Sequence, residues 1–205
     1  QGVDKVVHAL NGILVTGTKN EGSNYGQPVI NFISEKVLRM DSQGGEGGEW
    51  MGTIAQRNEA IGYRSVDYDY VIAASRVNDV AMTVLPNAPI DDDTGLPVPT
   101  IAVGTDSGAS IIKDDGSVYD ITNTNSGYNV VSQIKIDEKY VYIGFGVVNS
   151  YIGGIGYAVP IPGADVSLGS IINATSESVF RWSLNSTSGS GGQSDYFINP
   201  SDSNA

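Results

Sequence analysis

Three consecutive carboxylates, Asp91, Asp92 and Asp93, form the densest group of chemically active side chains in the sequence. Carboxylate oxygens are hard ligands that suit Ca²⁺, and carboxylates in a loop can also act as general acids or bases. The D-x-D-x-D-G spacing of an EF-hand is absent, and Asp residues followed by Thr94-Gly95 are equally typical of a solvated turn. Calcium binding here is therefore a hypothesis that competes with a plain turn, and no other cofactor is predicted.

Other arrangements that support catalysis are missing from the sequence. His8 is the single histidine and there is no cysteine. A histidine-rich metal site, disulfides, thiolate chemistry and cysteine-based zinc or iron–sulfur sites are therefore excluded. The glycine-rich residues 44–48 are not followed by Gly-Lys-Ser/Thr, so they do not form a phosphate-binding loop. No catalytic residue is predicted, and we expect the protein not to be an enzyme.

Aromatic side chains form a second candidate binding feature. The chain has 11 tyrosines and two tryptophans. Aromatic rings stack on the C–H faces of sugars, while neighbouring Asn, Asp and Gln side chains bond the hydroxyl groups. The competing interpretation is that these rings fill gaps between packed sheets. The aromatic residues in or near predicted loops and strand ends are Tyr25, Trp50, Tyr63, Tyr68, Tyr70, Tyr128, Tyr151 and Trp182.

The charge balance limits the classes of partner. Twenty-three acidic and 11 basic residues give a formal net charge of −12. Nucleic-acid binding depends on clustered Lys and Arg, and the sequence has no such cluster. An anionic membrane surface would repel the chain for the same reason, and no run of about 18 apolar residues is present. Neither nucleic acid nor membrane is predicted as a partner.

Short strands and tight turns must position these residues. Residues 99–122, PTIAVGTDSGASIIKDDGSVYDIT, predict three strands joined by a turn at 106–108 and an Asp-Gly turn. Residues 3–18 predict a hairpin around Asn11-Gly12, and residues 130–146 predict another, followed by a strand at 155–161. Residues 29–40 indicate two strands around a turn at 34–36, with a helix over 32–40 as the alternative. Residues 86–99 contain four prolines and predict a loop.

Similar strand pairs recur along the sequence, which indicates a structural repeat. The stretches ILVTGT, VIAASR, TIAVGT and VYIGFG start at residues 13, 71, 100 and 141. They are followed by second strands that start at 29, 80, 109 and 155. Their mean spacing is about 43 residues, within the ~40–50 residues of a propeller blade. Small residues near their ends (Gly17, Ala74, Gly104 and Gly144) suit crowded inner strands.

The predicted fold is therefore all-β. We expect a β-propeller of four to five blade-like antiparallel sheets, either closed or part of a larger propeller. Residues 1–185 would form the propeller or propeller fragment, and residues 186–205 a Gly/Ser-rich segment and tail. Further short strands are predicted at 171–172, 179–184 and 196–198. A β-sandwich or jelly roll is the main alternative, since it uses the same short strands without a repeat. A β-helix or another all-β fold is a further alternative.

Residues 79–122 also resemble a known family. The segments are LPNAP at 85–89, TGLPVPTIAVGT at 94–105 and GASIIKDDGSVYD at 108–120. They are similar to a β-propeller region of large virion or tail-fibre-like appendage proteins of marine bacteriophages. The similarity is looser over residues 29–58. The resemblance implies a particle-associated protein that binds rather than catalyses, and it carries over no catalytic residue.

The functional hypothesis is a non-enzymatic structural or adhesion module of a phage particle or similar surface assembly. Its expected location is the virion or an extracellular surface. Its expected partners are other subunits of that assembly and host-surface glycans. The alternative is a propeller hydrolase or lyase that acts on glycans or lactones with a calcium ion bound by a loop. Residues 86–99 are the first place where we expect a functional site.

Overall fold

The computed structural model of the chain describes residues 5–18, 27–34, 36–40, 48–50, 63–65, 71–124, 129–145 and 155–168. These residues form fourteen β-strands in three sheets and contain no helix. The described part therefore has no helix of the length and hydropathy that a membrane span requires. The predicted all-β class is confirmed. Residues 169–205, with the predicted strands and tail that fall there, lie outside the described part.

The first sheet is a six-stranded antiparallel meander. The predicted hairpin around Asn11-Gly12 is confirmed, with φ of 50° at Asn11 and 79° at Gly12. These two positive φ values are those that a type I′ turn requires. The helix considered for residues 32–40 is wrong, because the side chain of Asn31 turns the chain between two strands. The strands are β1 (Lys5–Leu10), β2 (Ile13–Thr18), β3 (Gln27–Asn31), β4 (Val37–Met40), β5 (Gly48–Trp50) and β6 (Tyr63–Ser65).

The second sheet contains the most regular strands of the chain. Its order is β14-β10-β9-β8-β7, and β14 runs parallel to β10 whereas the other pairs are antiparallel. The three strands predicted over residues 99–122 are confirmed as β8, β9 and β10. The parallel strand was not predicted. The bounds are β7 (Val77–Thr83), β8 (Thr100–Thr105), β9 (Gly108–Ile112), β10 (Val118–Asn123) and β14 (Val166–Leu168).

The third sheet is a three-stranded antiparallel meander of β11 (Val131–Ile136), β12 (Tyr140–Phe145) and β13 (Ile155–Pro160). It confirms the predicted hairpin and the following strand. Apolar side chains alternate along β12, where Val141, Ile143 and Phe145 are buried. This alternation gives the sheet one apolar face for packing.

The second sheet packs between the other two. One core cluster joins Ile13 and Val15 of the first sheet to Ile101 and Val103 of β8. The other cluster joins Ala102 of β8 to residues of the third sheet that include Val131 and Phe145. Since successive strand residues point to opposite faces, β8 supplies both cores and all six of its residues are buried.

The structure corrects the repeat that the sequence indicated. Residues 71–76 belong to none of the strands, and VAMTV at 80–84 begins within β7. In β7, Met82 pairs with Ile101 of β8, so VAMTV and TIAVGT are neighbours in one sheet. They are therefore not two separate units, and the described residues hold three sheets where the alignment placed four strand pairs. Apolar content alone could not distinguish a partner strand from a new copy.

Candidate interaction surface

The loop over residues 86–99 is built from consecutive tight turns. Pro86 and Asn87 occupy the centre of the first turn, where the N–H of Ala88 donates to the carbonyl oxygen of Leu85 at 3.1 Å. Asn87 has a φ of 66°. Proline followed by a residue with positive φ is the pattern of a type II turn. The first part of the family-like LPNAP segment is thus a turn.

Asp91 organises the second half of this loop. Its Oδ1 accepts the backbone N–H of Asp93 at 2.9 Å and of Thr94 at 2.7 Å. Its carbonyl oxygen accepts the N–H of Gly95 at 2.8 Å, and Gly95 has a φ of 68°. An Asp side chain that bonds the backbone two and three residues ahead stabilises a turn locally. Asp91 therefore has a structural role in shaping the loop.

The loop is fixed onto two turns of the first sheet. The side-chain amide of Asn11 donates to the carbonyl oxygen of Pro97 at 2.8 Å. Lys36 Nζ lies 3.4 Å from Asp93 Oδ2. A Cβ on Gly12 would lie 3.4 Å from Thr94 Cγ2 and 3.5 Å from Ile33 Cγ1, so the chains approach closely. The contacts of Asn11 with Pro97 and of Lys36 with Asp93 join residues 86 and 57 positions apart into one tip.

This tip carries four exposed large apolar side chains. Phe32 is 59 % and Ile33 is 60 % exposed at the β3–β4 turn, and Ile90 is 58 % and Leu96 is 43 % exposed in the loop. We call these four residues the hairpin–loop surface. Asp92 and Asp93 are also exposed and lie between Ile90 and Leu96 in the loop. The loop thus displays apolar and acidic side chains together.

The loop geometry bears on the predicted calcium ligands. Asp91 Oδ1 is engaged by two backbone N–H groups, and Asp93 is paired with Lys36. Among the described residues there is no group of three or more His, Cys, Asp or Glu side chains that could hold a metal ion. The three aspartates are therefore neighbours in sequence whose carboxylates serve different contacts. Calcium binding by Asp91, Asp92 and Asp93 stays the untested alternative to a plain turn.

Most of the aromatic residues considered for sugar binding lie outside the described residues. These are Tyr25, Tyr68, Tyr70, Tyr128, Tyr151 and Trp182. Trp50 and Tyr63 lie in β5 and β6, where only the strands are described. In the described core, Phe145 and Tyr157 pack edge to face with ring centroids 5.5 Å apart. This pair belongs to the core cluster between the second and third sheets and is not among the aromatic residues considered for sugar binding, whose role stays a prediction.

Sequence reasoning located the loop but missed Phe32 and Ile33. The first of the two strands predicted over residues 29–40 includes both residues. In a strand, one of two successive side chains would be buried. Asn31 instead accepts the N–H of Ile33 at 3.0 Å and of Ser34 at 3.1 Å, which places both apolar residues at the turn. An Asn at the end of an apolar run was the signal for this turn.

Two half-buried carboxylates link strands rather than form a reactive site. Asp79 in β7 has its pKa raised by burial, against the opposing effect of N–H groups from Ile134 and Val80. Asp120 in β10 accepts the hydroxyl of Ser110 at 2.6 Å, and burial raises its pKa despite that bond. Ser110 also accepts the N–H of Ala73 at 2.8 Å. His8, the single histidine, lies half-buried in β1.

No protein-family model matches the chain, and no curated protein is significantly similar to it.

Proposed function

We propose that this chain is a non-enzymatic assembly or adhesion module of a phage particle or similar surface assembly, and that it docks a protein subunit through the hairpin–loop surface. The observation that carries this proposal is the display of Phe32, Ile33, Ile90 and Leu96 on one hydrogen-bonded tip. The sequence resemblance to phage appendage proteins supports the proposal that the chain belongs to such a particle. It is close over residues 79–122, which include the loop, and sharpest over residues 99–122.

The exposure of these four residues favours a docking site over incidental exposure of single apolar residues. Single exposed apolar residues are common on protein surfaces, but clusters of large ones mark interaction sites. The bonds from Asn11, Asp91 and Asn31 hold the backbone of the tip in place before any partner arrives. Such preorganisation reduces the entropy that binding costs.

The composition of the surface defines the partner's chemistry. Three of its four residues are aliphatic, which fits an apolar protein surface better than a sugar, for which aromatic stacking is preferred. The exposed Asp92 and Asp93, which lie between Ile90 and Leu96 in the loop, favour a partner that carries Lys or Arg. A second copy of this chain is disfavoured because each copy has a net charge of −12. The partner is therefore an apolar protein segment flanked by basic residues.

The three stacked sheets support a propeller-like arrangement for this module. A Cβ on Gly17 of β2 would lie 2.5 Å from Val77 Cγ1, and a Cβ on Gly104 of β8 would lie 2.7 Å from Val131 Cγ1. Each valine begins the first strand of the next sheet. The same contact thus relates the first sheet to the second and the second to the third. Radially repeated sheets are built from such repeated contacts.

A random peptide library displayed on yeast tests the docking proposal without a known partner. We expect the chain to enrich peptides that combine Leu, Ile or Phe with Lys or Arg. Binding of those peptides should fall at least tenfold for the double variant Ile33→Thr/Ile90→Thr. Val7→Thr is the matched control, because Val7 is 64 % exposed on β1, in a strand rather than at the tip.

Two outcomes would overturn the docking proposal. One is peptide binding that the double variant leaves unchanged. The other is binding on a glycan array that the same variant abolishes, which would assign the surface to sugars. Immunogold labelling of purified particles with antibodies against this chain tests separately whether the chain is part of such an assembly. Absence of label on every particle fraction would reject the assembly proposal.

A further inference from the structure

We infer that the exposed face of the third sheet is a binding site for an uncharged sugar unit of a glycan, with Tyr140 and Tyr142 as the side chains on which the sugar stacks. Neither tyrosine is among the aromatic residues that the sequence placed in or near loops. The inference does not depend on protein docking by the hairpin–loop surface, which lies on the first sheet and the loop over residues 86–99.

The alternation of β12 puts both tyrosines on one face of the sheet. Every second residue of this strand from Val141 to Phe145 belongs to the core cluster between the second and third sheets. Tyr140, Tyr142 and Gly144 therefore share the opposite face. Tyr140 is 38 % exposed, and the other two residues are partly exposed. A ligand can thus reach this face along the central strand of the sheet.

The two tyrosine rings form a pair that one carboxylate holds in place. Their centroids lie 6.4 Å apart and their planes are inclined at 52°. The hydroxyl of Tyr142 donates to Asp137 Oδ2 at 2.8 Å, and Asp137 Oδ1 accepts the backbone N–H of Tyr140 at 2.8 Å. The ring of Tyr142 is therefore positioned before a ligand arrives, which lowers the entropy that binding costs.

Polar side chains lie beside the tyrosines on β11. Lys135 pairs with Tyr142, and Gln133 pairs with Gly144, so these side chains share the face of the rings. Both polar residues are exposed. The amide of Gln133 donates and accepts hydrogen bonds and the ammonium group of Lys135 donates them, which suits the hydroxyl groups of a sugar. Gly144 has no side chain, and this leaves space for a sugar ring between Tyr142 and Gln133.

The polarity of this face favours a hydrated ligand over another packed sheet. The described strand that packs on both of its faces, β8, carries no charged side chain and is entirely buried. Burial of Lys135 under a sheet would remove its ammonium group from water, which is costly. A sugar instead stacks its C–H face on an aromatic ring and exchanges hydrogen bonds with polar side chains.

The charges around the face indicate that the sugar is uncharged. Two lysines balance two carboxylates on β11 and at the β11–β12 turn. These are Lys135, Lys139, Asp137 and Glu138. Lys135 also stabilises the charge of the Asp79 carboxylate. Since the chain as a whole has a net charge of −12, a carboxylated or sulfated sugar would be repelled.

A glycan array probed with the full-length chain tests this inference. Attachment of the chain to fluorescent beads makes weak binding at single sites detectable through multivalency. We expect binding to neutral oligosaccharides and none to sialylated or sulfated ones. Tyr140→Ala should weaken the affinity for the selected oligosaccharide about tenfold, because the stacking ring is lost. Tyr140→Phe keeps the ring and should bind like wild type.

NMR titration of the chain with labelled tyrosine rings locates the site. The neutral oligosaccharide that the array selects should shift the ring signals of Tyr140 and Tyr142. Tyr119 is the internal control, because it lies in β10 of the second sheet. Its ring signal should not move, and Tyr119→Ala should leave sugar binding unchanged.

The outcomes separate this inference from protein docking by the hairpin–loop surface. Tyr140→Ala should bind peptides like wild type, and Ile33→Thr/Ile90→Thr should bind sugar like wild type. No binding of neutral glycans, a preference for sialylated or sulfated ones, or sugar binding that Tyr140→Ala leaves unchanged would each overturn the inference. If Tyr140→Ala lowers the melting temperature, the wild-type titration decides, and unshifted Tyr140 and Tyr142 rings would overturn it.

Discussion

The Oδ2 atom of Asp79 in β7 accepts the backbone N–H of Ile134 in β11 at 2.8 Å. This bond joins the first strands of the second and third sheets. The two bonded residues are 55 positions apart in the sequence. The other carboxylate oxygen accepts the N–H of Val80 at 3.0 Å. One side chain thus satisfies an N–H group in each of two packed strands.

Removal of the Asp79 carboxylate should weaken the junction between the second and third sheets. We expect Asp79→Ala to lower the free energy of unfolding by about 1–3 kcal/mol, because the N–H of Ile134 loses its acceptor in a partly buried site. Asp79→Asn keeps one acceptor oxygen and should lose less. Urea unfolding of the three proteins measures the differences. Equal stability of Asp79→Ala and wild type would contradict the structural role of this bond.

The raised pKa of Asp79 also predicts a pH dependence. Burial raises the pKa of the folded state above the unfolded value of 3.8. The folded protein therefore binds the proton more readily, so this group's contribution to stability is full below pH 3.8 and is lost as the pH rises through the folded pKa. The stability of wild type relative to Asp79→Asn should increase as the pH falls toward 3.8. Urea titrations at several pH values would test this, and the opposite slope would refute it.

Tyr142 and Asp137 form a pair at the β11–β12 turn with opposite pKa shifts. Burial, and then the hydroxyl's bond to Asp137 at 2.8 Å, raises the pKa of Tyr142 to about 12. Burial alone would raise the pKa of Asp137, but N–H groups of Lys139 and Tyr140 and the Tyr142 hydroxyl lower it below 3.8. Tyr142→Phe should therefore raise the pKa of Asp137, as measured by NMR titration of its carboxyl carbon. An unchanged titration would show that the hydroxyl bond is absent in solution.

The same pair predicts the acid response of this turn. A folded pKa below the unfolded value gives stability that is present above pH 3.8 and is lost as the pH falls through the folded pKa. Tyr142→Phe should reduce that loss. Comparison of urea midpoints at neutral and acidic pH provides the measurement, and a larger acid sensitivity of the variant would argue against it.

The glycines at the sheet interfaces should not tolerate a methyl group. Gly104→Ala would bring Cβ to 2.7 Å from Val131 Cγ1, so we expect a loss of about 1–3 kcal/mol. Val131→Ala in the same chain should recover part of that loss, and a double-mutant cycle would measure the coupling. Gly163→Ala is the control, because a Cβ there meets nothing within 4 Å. Additive effects at Gly104 and Val131 would contradict the contact.

Calcium should have little effect on the loop that Asp91 shapes. We expect millimolar CaCl₂, enough to fill the weaker class of protein calcium sites, to leave the melting temperature unchanged. Asp91→Ala should speed amide hydrogen exchange at Asp93 and Thr94, whereas Asp91→Asn, which keeps an acceptor oxygen, should not. A calcium-dependent rise in melting temperature that Asp93→Asn abolishes would instead support the calcium hypothesis.

Part of the candidate surface was predictable from local sequence. The prolines and the Asp91-Asp92-Asp93-Thr94-Gly95 run located the loop, since their backbone preferences act within a few residues. The partners of that loop were not predictable. Asn11 and Lys36 reach Pro97 and Asp93 across 86 and 57 positions, and no local pattern specifies such contacts.

The sequence by itself determined several hairpins of this protein. Alternating β-branched residues and the pairs Asn11-Gly12 and Asp115-Gly116 specify hairpins, because turn geometry and side-chain alternation are short-range properties. Only the tertiary structure decided that β7 belongs with β8, that β14 joins β10 in parallel, and that Gly17 and Gly104 face valines of the next sheet. Those choices depend on which apolar faces bury each other, and many sheets of similar composition could compete for the same face.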